Sequence, residues 1–372
     1  MTTNIKINKT LLPLSLLYGL GVWFRNKLFD WGILPSEEFS VPVISVGNIS
    51  VGGTGKTPHT EYLIRMLSPK FKIAVLSRGY KRQTSGFVLA DKNSDSSVIG
   101  DEPFQMYRKF PDILVAVDGN RRRGISKLLA LPKKEKPDII LLDDAFQHRY
   151  VKPSLSILLT DINRLMYEDE LLPAGRLRES AKNKSRAEIV IVTKCPDNMK
   201  PIDYRLIGRN MNVFPYQSLF FTSFKYGNLL PVFPGNKSSK TLEDVKSKDI
   251  KVLLIAGIAS PQGLIGEMHK YTKTVDSLIF PDHHAFTARD MAEIKQRFDR
   301  ISGENKIIIT TEKDAVRLMD YLNLNEEIKR VLYYLPVEVV FNLDQGSMFK
   351  QKIDNHVRNI KTNGRVAEAE NT

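Results

Sequence analysis

Short apolar runs rich in β-branched residues alternate with longer polar or amphipathic stretches along most of this 372-residue chain. The runs predict strands at 41–46, 73–77, 113–117, 139–143, 155–160, 189–193, 252–256 and 306–310. Two of them, Ile-Ile-Leu-Leu-Asp at 139–143 and Ile-Val-Ile-Val-Thr at 189–193, are apolar without alternation. Parallel strands covered on both faces read this way, so the pattern predicts an α/β, doubly wound sheet. A stretch rich in Pro, Gly, Lys and Ser at 231–240 separates the earlier strands from the later ones and marks the expected domain junction. The chain exceeds what one hydrophobic core comfortably supports. Four parts are expected: an N-terminal helix over 1–36, a core over 37–230, a smaller α/β lobe over 231–350, and a frayed polar tail over 351–372.

The start of the chain breaks the alternation. Residues 11–24, Leu-Leu-Pro-Leu-Ser-Leu-Leu-Tyr-Gly-Leu-Gly-Val-Trp-Phe, carry no charge, but fourteen residues fall short of the roughly 20 that span a bilayer as a helix. Arg25 and Lys27 follow, then Leu28, Phe29, Trp31, Ile33 and Leu34. Apolar groups edged by Trp, Tyr and cations suit a helix lying in a membrane surface. Pro13 interrupts the run and no small-residue cleavage site follows it, which argues against a signal peptide.

Composition narrows the class further. At 42% hydrophobic and 26% charged the chain is globular, and its formal charge of +13 favours anionic partners. Cys195 is the single cysteine, so neither an internal disulfide framework nor a cysteine-only metal site is available.

The strongest chemical signal lies at 43–58, where a strand runs into a glycine-rich loop and then a helix. Ser50, Val51, Gly52, Gly53, Thr54, Gly55, Lys56 and Thr57 form the expected nucleotide cradle. Glycines let backbone N–H groups turn towards a polyphosphate, and the helix N-terminus adds its dipole. Lys56 would reach the β and γ phosphates, and Thr57 would offer a hydroxyl to Mg²⁺. Ser50 stands where the G-x-x-x-x-G-K-[ST] pattern has Gly. Downstream, the strand at 139–143 ends in Asp143 and Asp144, carboxylates at the carboxyl edge of the sheet that could hold Mg²⁺. Together these predict a P-loop NTPase-like parallel-sheet core that uses ATP and Mg²⁺.

Other nucleotide-binding classes fit less well. In the place of the guanine-reading Asn-Lys-x-Asp stands Thr193-Lys-Cys-Pro-Asp197, and no serine-glycine signature loop of ABC type is present. The basic residues are scattered without an aromatic ladder, so nothing calls for nucleic acid. No protein partner is indicated. Arg121 and Arg122 follow the strand at 113–117, and Arg178 and Glu179 lie in a short Pro- and Gly-containing loop. Guanidinium forks there suit a phosphate-bearing acceptor.

In order along the chain stand Gly47-Asn-Ile-Ser-Val-Gly-Gly-Thr-Gly-Lys-Thr-Pro58, Ser77-Arg-Gly-Tyr80, Gly100-Asp-Glu-Pro103, Asp143-Asp-Ala-Phe-Gln-His148, Leu172-Pro-Ala-Gly-Arg-Leu-Arg-Glu179, Phe280-Pro-Asp-His-His284 and Thr311-Glu-Lys-Asp314. This set resembles the tetraacyldisaccharide 4'-kinase family, with Ala145 and Arg176 where Gly and Pro are frequent. The resemblance implies transfer of the γ-phosphate of ATP to the 4'-hydroxyl of a tetraacylated glucosamine disaccharide 1-phosphate, a lipid A precursor. It also implies work at the cytoplasmic face of the bacterial inner membrane, peripheral or monotopic, on an anionic surface. A sugar hydroxyl has a high pKa and needs a proton acceptor. Asp101 is the expected base, and the family pattern pairs it with His283. Arg78, Glu102, Arg121, Arg122, His148, Arg178 and Glu179 are the expected substrate contacts. The rival reading is a membrane-associated P-loop NTPase with a regulatory or assembly role.

Overall fold

The computed structural model describes residues 5, 7–233, 239–258, 261–282, 284–319, 321 and 325–370. Residues 234–238 of the expected junction, and His283, lie outside the described residues. The chain forms two compact units, one of residues 1–93, 109–224 and 339–372, the other of residues 94–108 and 225–338. The segment 94–108 thus joins a body otherwise built from residues 225–338, a division that a linear cut at 231–240 does not express.

The first unit carries the strands β1 (Val43–Asn48), β2 (Ile73–Ser77), β3 (Val88–Leu89), β4 (Leu114–Val117), β5 (Ile139–Asp143), β6 (Leu155–Asp161), β7 (Ile189–Thr193) and β8 (Ser218–Tyr226). The second carries β9 (Leu230–Pro231), β10 (Lys251–Ala256), β11 (Val275–Ile279), β12 (Lys306–Thr311) and β13 (Leu332–Leu335). With β14 (Val337–Phe341), the first sheet has nine strands in the order β14-β8-β7-β6-β1-β5-β2-β4-β3. From β8 to β4 the pairs are parallel, and β3 adds an antiparallel edge. The expected α/β architecture is therefore present. β1, β2, β5 and β7 are buried along their whole length, which explains their lack of alternation. Ile140 and Leu142 pack with Leu76, Ile125 and Leu128 in one cluster, while Ile49, Phe146, Leu158, Val190 and Val192 form another.

The second unit repeats the theme in a five-stranded sheet, β11-β10-β12-β13-β9, parallel except for β9. Leu253, Ile255, Ile308 and Leu332 pack with Phe298 and Leu318 in one core, and Leu254, Ile307 and Ile309 with Leu264 and Met268 in another. The residues from Gln351, read from sequence as a frayed tail, lie in the helix Gly346–Glu370, which is anchored by buried Phe349, Ile353 and Val357. Those three recur at helical spacing within a polar sequence, a periodicity easy to miss.

The helix α1 (Leu12–Asp30) reverses the usual polarity of a surface helix. Two of its three buried positions, Ser15 and Asn26, are polar, and the third is Phe29. Ser15 Oγ donates to the Leu171 carbonyl (3.0 Å) and accepts from the Ala174 amide (2.9 Å). Tyr18 donates to the Arg178 carbonyl (2.8 Å), and Arg25 to that of Gln147. Its outward positions are apolar, with Leu14, Leu16, Leu17, Leu20, Trp23 and Phe24 between 53% and 71% exposed. No helix of the described residues is long and apolar enough to cross a membrane.

Candidate active site

The glycine-rich loop connects β1 to the helix α2 (Lys56–Leu67). Its shape is set by side chains at its ends. Buried Asn48 donates to Thr54 Oγ1 (2.8 Å) and to the Gly52 carbonyl (3.4 Å), and Thr193 Oγ1 donates to the Thr54 carbonyl (2.9 Å). Gly55 sits at φ 86°, and a Cβ there would meet Phe224 Cζ at 2.6 Å. Only glycine satisfies both conditions. Ser50 is different: its backbone forms an antiparallel bridge with Leu177, an extended conformation open to any residue. The departure from the glycine pattern at Ser50 is therefore harmless to the backbone.

A second segment braces the loop. The Val51 amide donates to the Arg176 carbonyl (2.8 Å), and the Arg178 amide to the Ile49 carbonyl (2.7 Å). The Arg176 amide itself donates to Asp169 Oδ1 (3.2 Å), a bond that proline could not make. His59, one turn into α2, is buried. Its Nδ1 donates to the Gly55 carbonyl (2.7 Å), which fixes Nε2 as acceptor for the Thr222 hydroxyl (3.1 Å). Burial lowers its pKa to about 4, with the hydrogen bond to Gly55 opposing the shift.

Lys56 meets Asp144, the residue that follows β5. Lys56 Nζ lies 3.6 Å from Asp144 Oδ1, and Arg178 Nη1 lies 3.4 Å from the same oxygen. Asp143 is fully buried and accepts from Ser77 Oγ (3.4 Å), while Asp144 sits at φ 48°, turning its carboxylate towards Lys56. Among the described residues no three His, Cys, Asp or Glu gather into a cluster able to hold a metal. Asp143, Asp144 and the Thr57 hydroxyl, the residues expected from the sequence, would offer oxygen donors alone. That set suits Mg²⁺, which takes most of its ligands from water and phosphate.

The predicted substrate residues separate into distinct environments. Arg121 is buried, and burial lowers its pKa to about 10 against the opposing pull of Asp143 and Asp144. His148 is held neutral, with its pKa lowered to about 4 by burial and then by Arg121, Arg25 and Arg78. Its Nε2 is buried without a hydrogen-bond partner among the described residues. Burial first, and then these three guanidinium groups, disfavour the cationic form of the ring. Arg122 instead pairs with Glu37 (2.6 Å). Glu179 is buried and committed to Asn26, Gln147, Asn183 and Arg186.

Sequence reasoning missed Gln147, Arg25 and Asn26. Gln147 links the Asn48 carbonyl (2.7 Å) to Glu179 (3.1 Å), and only tertiary contact reveals it. Its place inside Asp143-Asp-Ala-Phe-Gln-His148 was the available signal.

In the second unit Asp101 opens the helix Asp101–Lys109 and meets Arg317, whose Nε and Nη2 lie 2.8 and 2.7 Å from Oδ2. Glu102 pairs with Lys313 (3.2 Å), which also reaches Asp282 (3.5 Å). His284 stacks on Phe280 and bonds Asp290 (2.9 Å) at the start of the helix Ala288–Arg300, a structural role.

The family model for Tetraacyldisaccharide-1-P 4'-kinase matches residues 7–358. A curated protein named Tetraacyldisaccharide 4'-kinase from Parabacteroides distasonis is 56% identical over 354 residues, 95% of this chain and 96% of its own length. One of the same name from Bacteroides thetaiotaomicron is 54% identical over 372 residues, covering 99% and 98%. Another from Flavobacterium psychrophilum is 46% identical over 360 residues, covering 96% and 99%. Among solved structures, the "apo" form of LpxK from Aquifex aeolicus in complex with ATP superposes with a TM-score of 0.71 at 28% identity. The match covers 94% of this chain and 99% of that one.

Proposed function

The chain belongs to the tetraacyldisaccharide-1-P 4'-kinase family, and on that premise we propose that it transfers the γ-phosphate of ATP to the 4'-hydroxyl of a tetraacylated glucosamine disaccharide 1-phosphate. The observation that carries the reading is the meeting of Lys56, from the glycine-rich loop, with Asp144 at the end of β5. That pair joins a phosphate cradle to a cation-holding carboxylate, the two parts phosphoryl transfer needs first.

Backbone amides of the glycine-rich loop other than that of Val51, which is given to the Arg176 carbonyl, hold the polyphosphate, and Lys56 neutralises charge on the transferring group. Thr57, Asp143 and Asp144 would hold Mg²⁺, which supplies further charge neutralisation across the phosphates. Asp101 accepts the proton of the acceptor hydroxyl, with His283 as its partner. Arg78, Arg121 and Arg25, grouped around neutral His148, hold the phosphate of the acceptor. Arg178, beside Asp144, bridges the nucleotide and acceptor ends of the site.

The acceptor carries acyl chains, and α1 is suited to meet it. A helix whose polar side is bound to its own protein and whose apolar side faces outward fits the boundary between headgroups and acyl chains. The chain works on the cytoplasmic face of the inner membrane, attached without crossing it.

The deciding experiment incubates purified protein with labelled ATP and the acylated glucosamine disaccharide 1-phosphate. Labelled disaccharide 1,4'-bisphosphate is the expected product. Asp101→Asn should lose transfer by on the order of 100-fold or more while ATP binding stays within about twofold. A protein that binds ATP yet labels no acceptor would sink the reading in favour of a membrane-associated NTPase.

A further inference from the structure

We propose that Arg317 is the positioning residue of the reaction: held by buried Asp314, its guanidinium sets the place of the Asp101 carboxylate. This rests on the reading of Asp101 as proton acceptor.

The contacts form one continuous chain. Arg317 is 8% exposed and Asp314 is fully buried. Arg317 Nε and Nη2 both close on Asp101 Oδ2, while Nη1 donates to Asp314 Oδ1 (2.8 Å) and to the Gly257 carbonyl (3.3 Å). Asp314 Oδ2 in turn accepts from the Gly257 amide (2.8 Å) and Thr311 Oγ1 (2.7 Å). Each end of this chain rests on a rigid element. Thr311 closes β12, Gly257 follows β10, and Asp314 and Arg317 lie one turn apart on the helix Glu312–Met319. A Cβ at Gly257 would lie 2.9 Å from Asp314 Oδ1, so the backbone approaches as closely as the carboxylate allows.

Geometry separates this arrangement from an ordinary surface ion pair. A guanidinium is planar and its N–H directions are fixed, so two donors meeting one oxygen define where that oxygen lies. Lysine would supply the charge without the fork. Burying an arginine between two carboxylates is costly, and a pair retained only for stability is readily replaced by apolar side chains. Here the outer member of the triad, Asp101, keeps 21% of its side chain exposed while Arg317 and Asp314 are closed off. The buried pair thus presents a carboxylate at the surface of its unit in a set position. A proton acceptor gains from this, since a catalytic group displaced by about 1 Å costs on the order of 100-fold in rate.

The test is a double-mutant cycle on the full chain with ATP and the acylated disaccharide 1-phosphate. Arg317→Met should lower kcat by on the order of 100-fold while KM for ATP stays within about threefold. Arg317→Lys should lose at least about tenfold as well, because lysine keeps the charge without the fork that sets the oxygen in place. In the Asp101→Asn background, Arg317→Met should cost less than about threefold more, because its only route to the chemistry is already gone. If Arg317→Met does not fold, Arg317→Lys and Asp314→Asn carry the same cycle. Full activity in Asp101→Asn would refute the base assignment itself. An inactive Asp101→Asn beside an Arg317→Met of unchanged kcat would overturn this proposal alone. So would multiplicative losses in the double variant, full activity in Arg317→Lys, or a loss in Arg317→Met that follows thermal stability and ATP affinity.

Discussion

At the scale of single residues, the proposed phosphate loop is held in shape by side chains on the elements around it. His59 shows the consequence. Its ring is buried between the Gly55 carbonyl and the Thr222 hydroxyl, where loss of solvent disfavours the imidazolium. Burial lowers its pKa from 6.5 to about 4. Between those values the unfolded chain binds a proton that the folded chain does not. The stabilisation is therefore complete above about pH 6.5 and is lost as pH falls towards 4. Denaturant titrations should show His59 contributing about 2 kcal/mol of lost stability between pH 7 and pH 5. In His59→Gln that share of the pH dependence should vanish, and a variant with the wild-type slope would contradict the assignment.

At the scale of elements, α1 couples two tasks that a surface helix normally keeps apart. Its Ser15, Tyr18 and Arg25 bond the segment at 171–179 and Gln147, the same parts that brace the glycine-rich loop. Its apolar side contributes little to the folded core, because it is exposed. Substitution there should separate membrane attachment from stability. Leu16→Asp with Leu20→Asp should change unfolding free energy by no more than about 0.5 kcal/mol per site while strongly reducing sedimentation with lipid vesicles. Soluble-headgroup acceptors should still be phosphorylated. A large drop in thermal midpoint would show that the face is packed on protein in solution.

At the scale of the whole molecule, the proposed membrane contact predicts that the charge of +13 acts together with that helix. Each Lys or Arg near an anionic surface adds about 1 kcal/mol, and the attraction decays over a Debye length of roughly 10 Å at 0.1 M salt. Vesicle binding should weaken markedly between 50 mM and 500 mM salt without disappearing, since the apolar contact persists. Salt-independent binding would exclude the electrostatic share.

The chain by itself determined the strands of both units' sheet centres. Burial on both faces writes an unbroken apolar run, and the runs at 73–77, 139–143 and 189–193 coincide with β2, β5 and β7. It also determined the glycine-rich loop with its lysine, because a backbone at positive φ admits so few residues. Short or half-exposed strands such as β3, β11 and β14 left no such imprint. Only tertiary structure decided that residues 94–108 join a body made of residues 225–338, that Arg122 pairs with Glu37, and that Arg317 grips Asp101. A local run records how a segment is covered, whereas an ion pair between segments hundreds of residues apart depends on which neighbours the fold brings within a few ångströms.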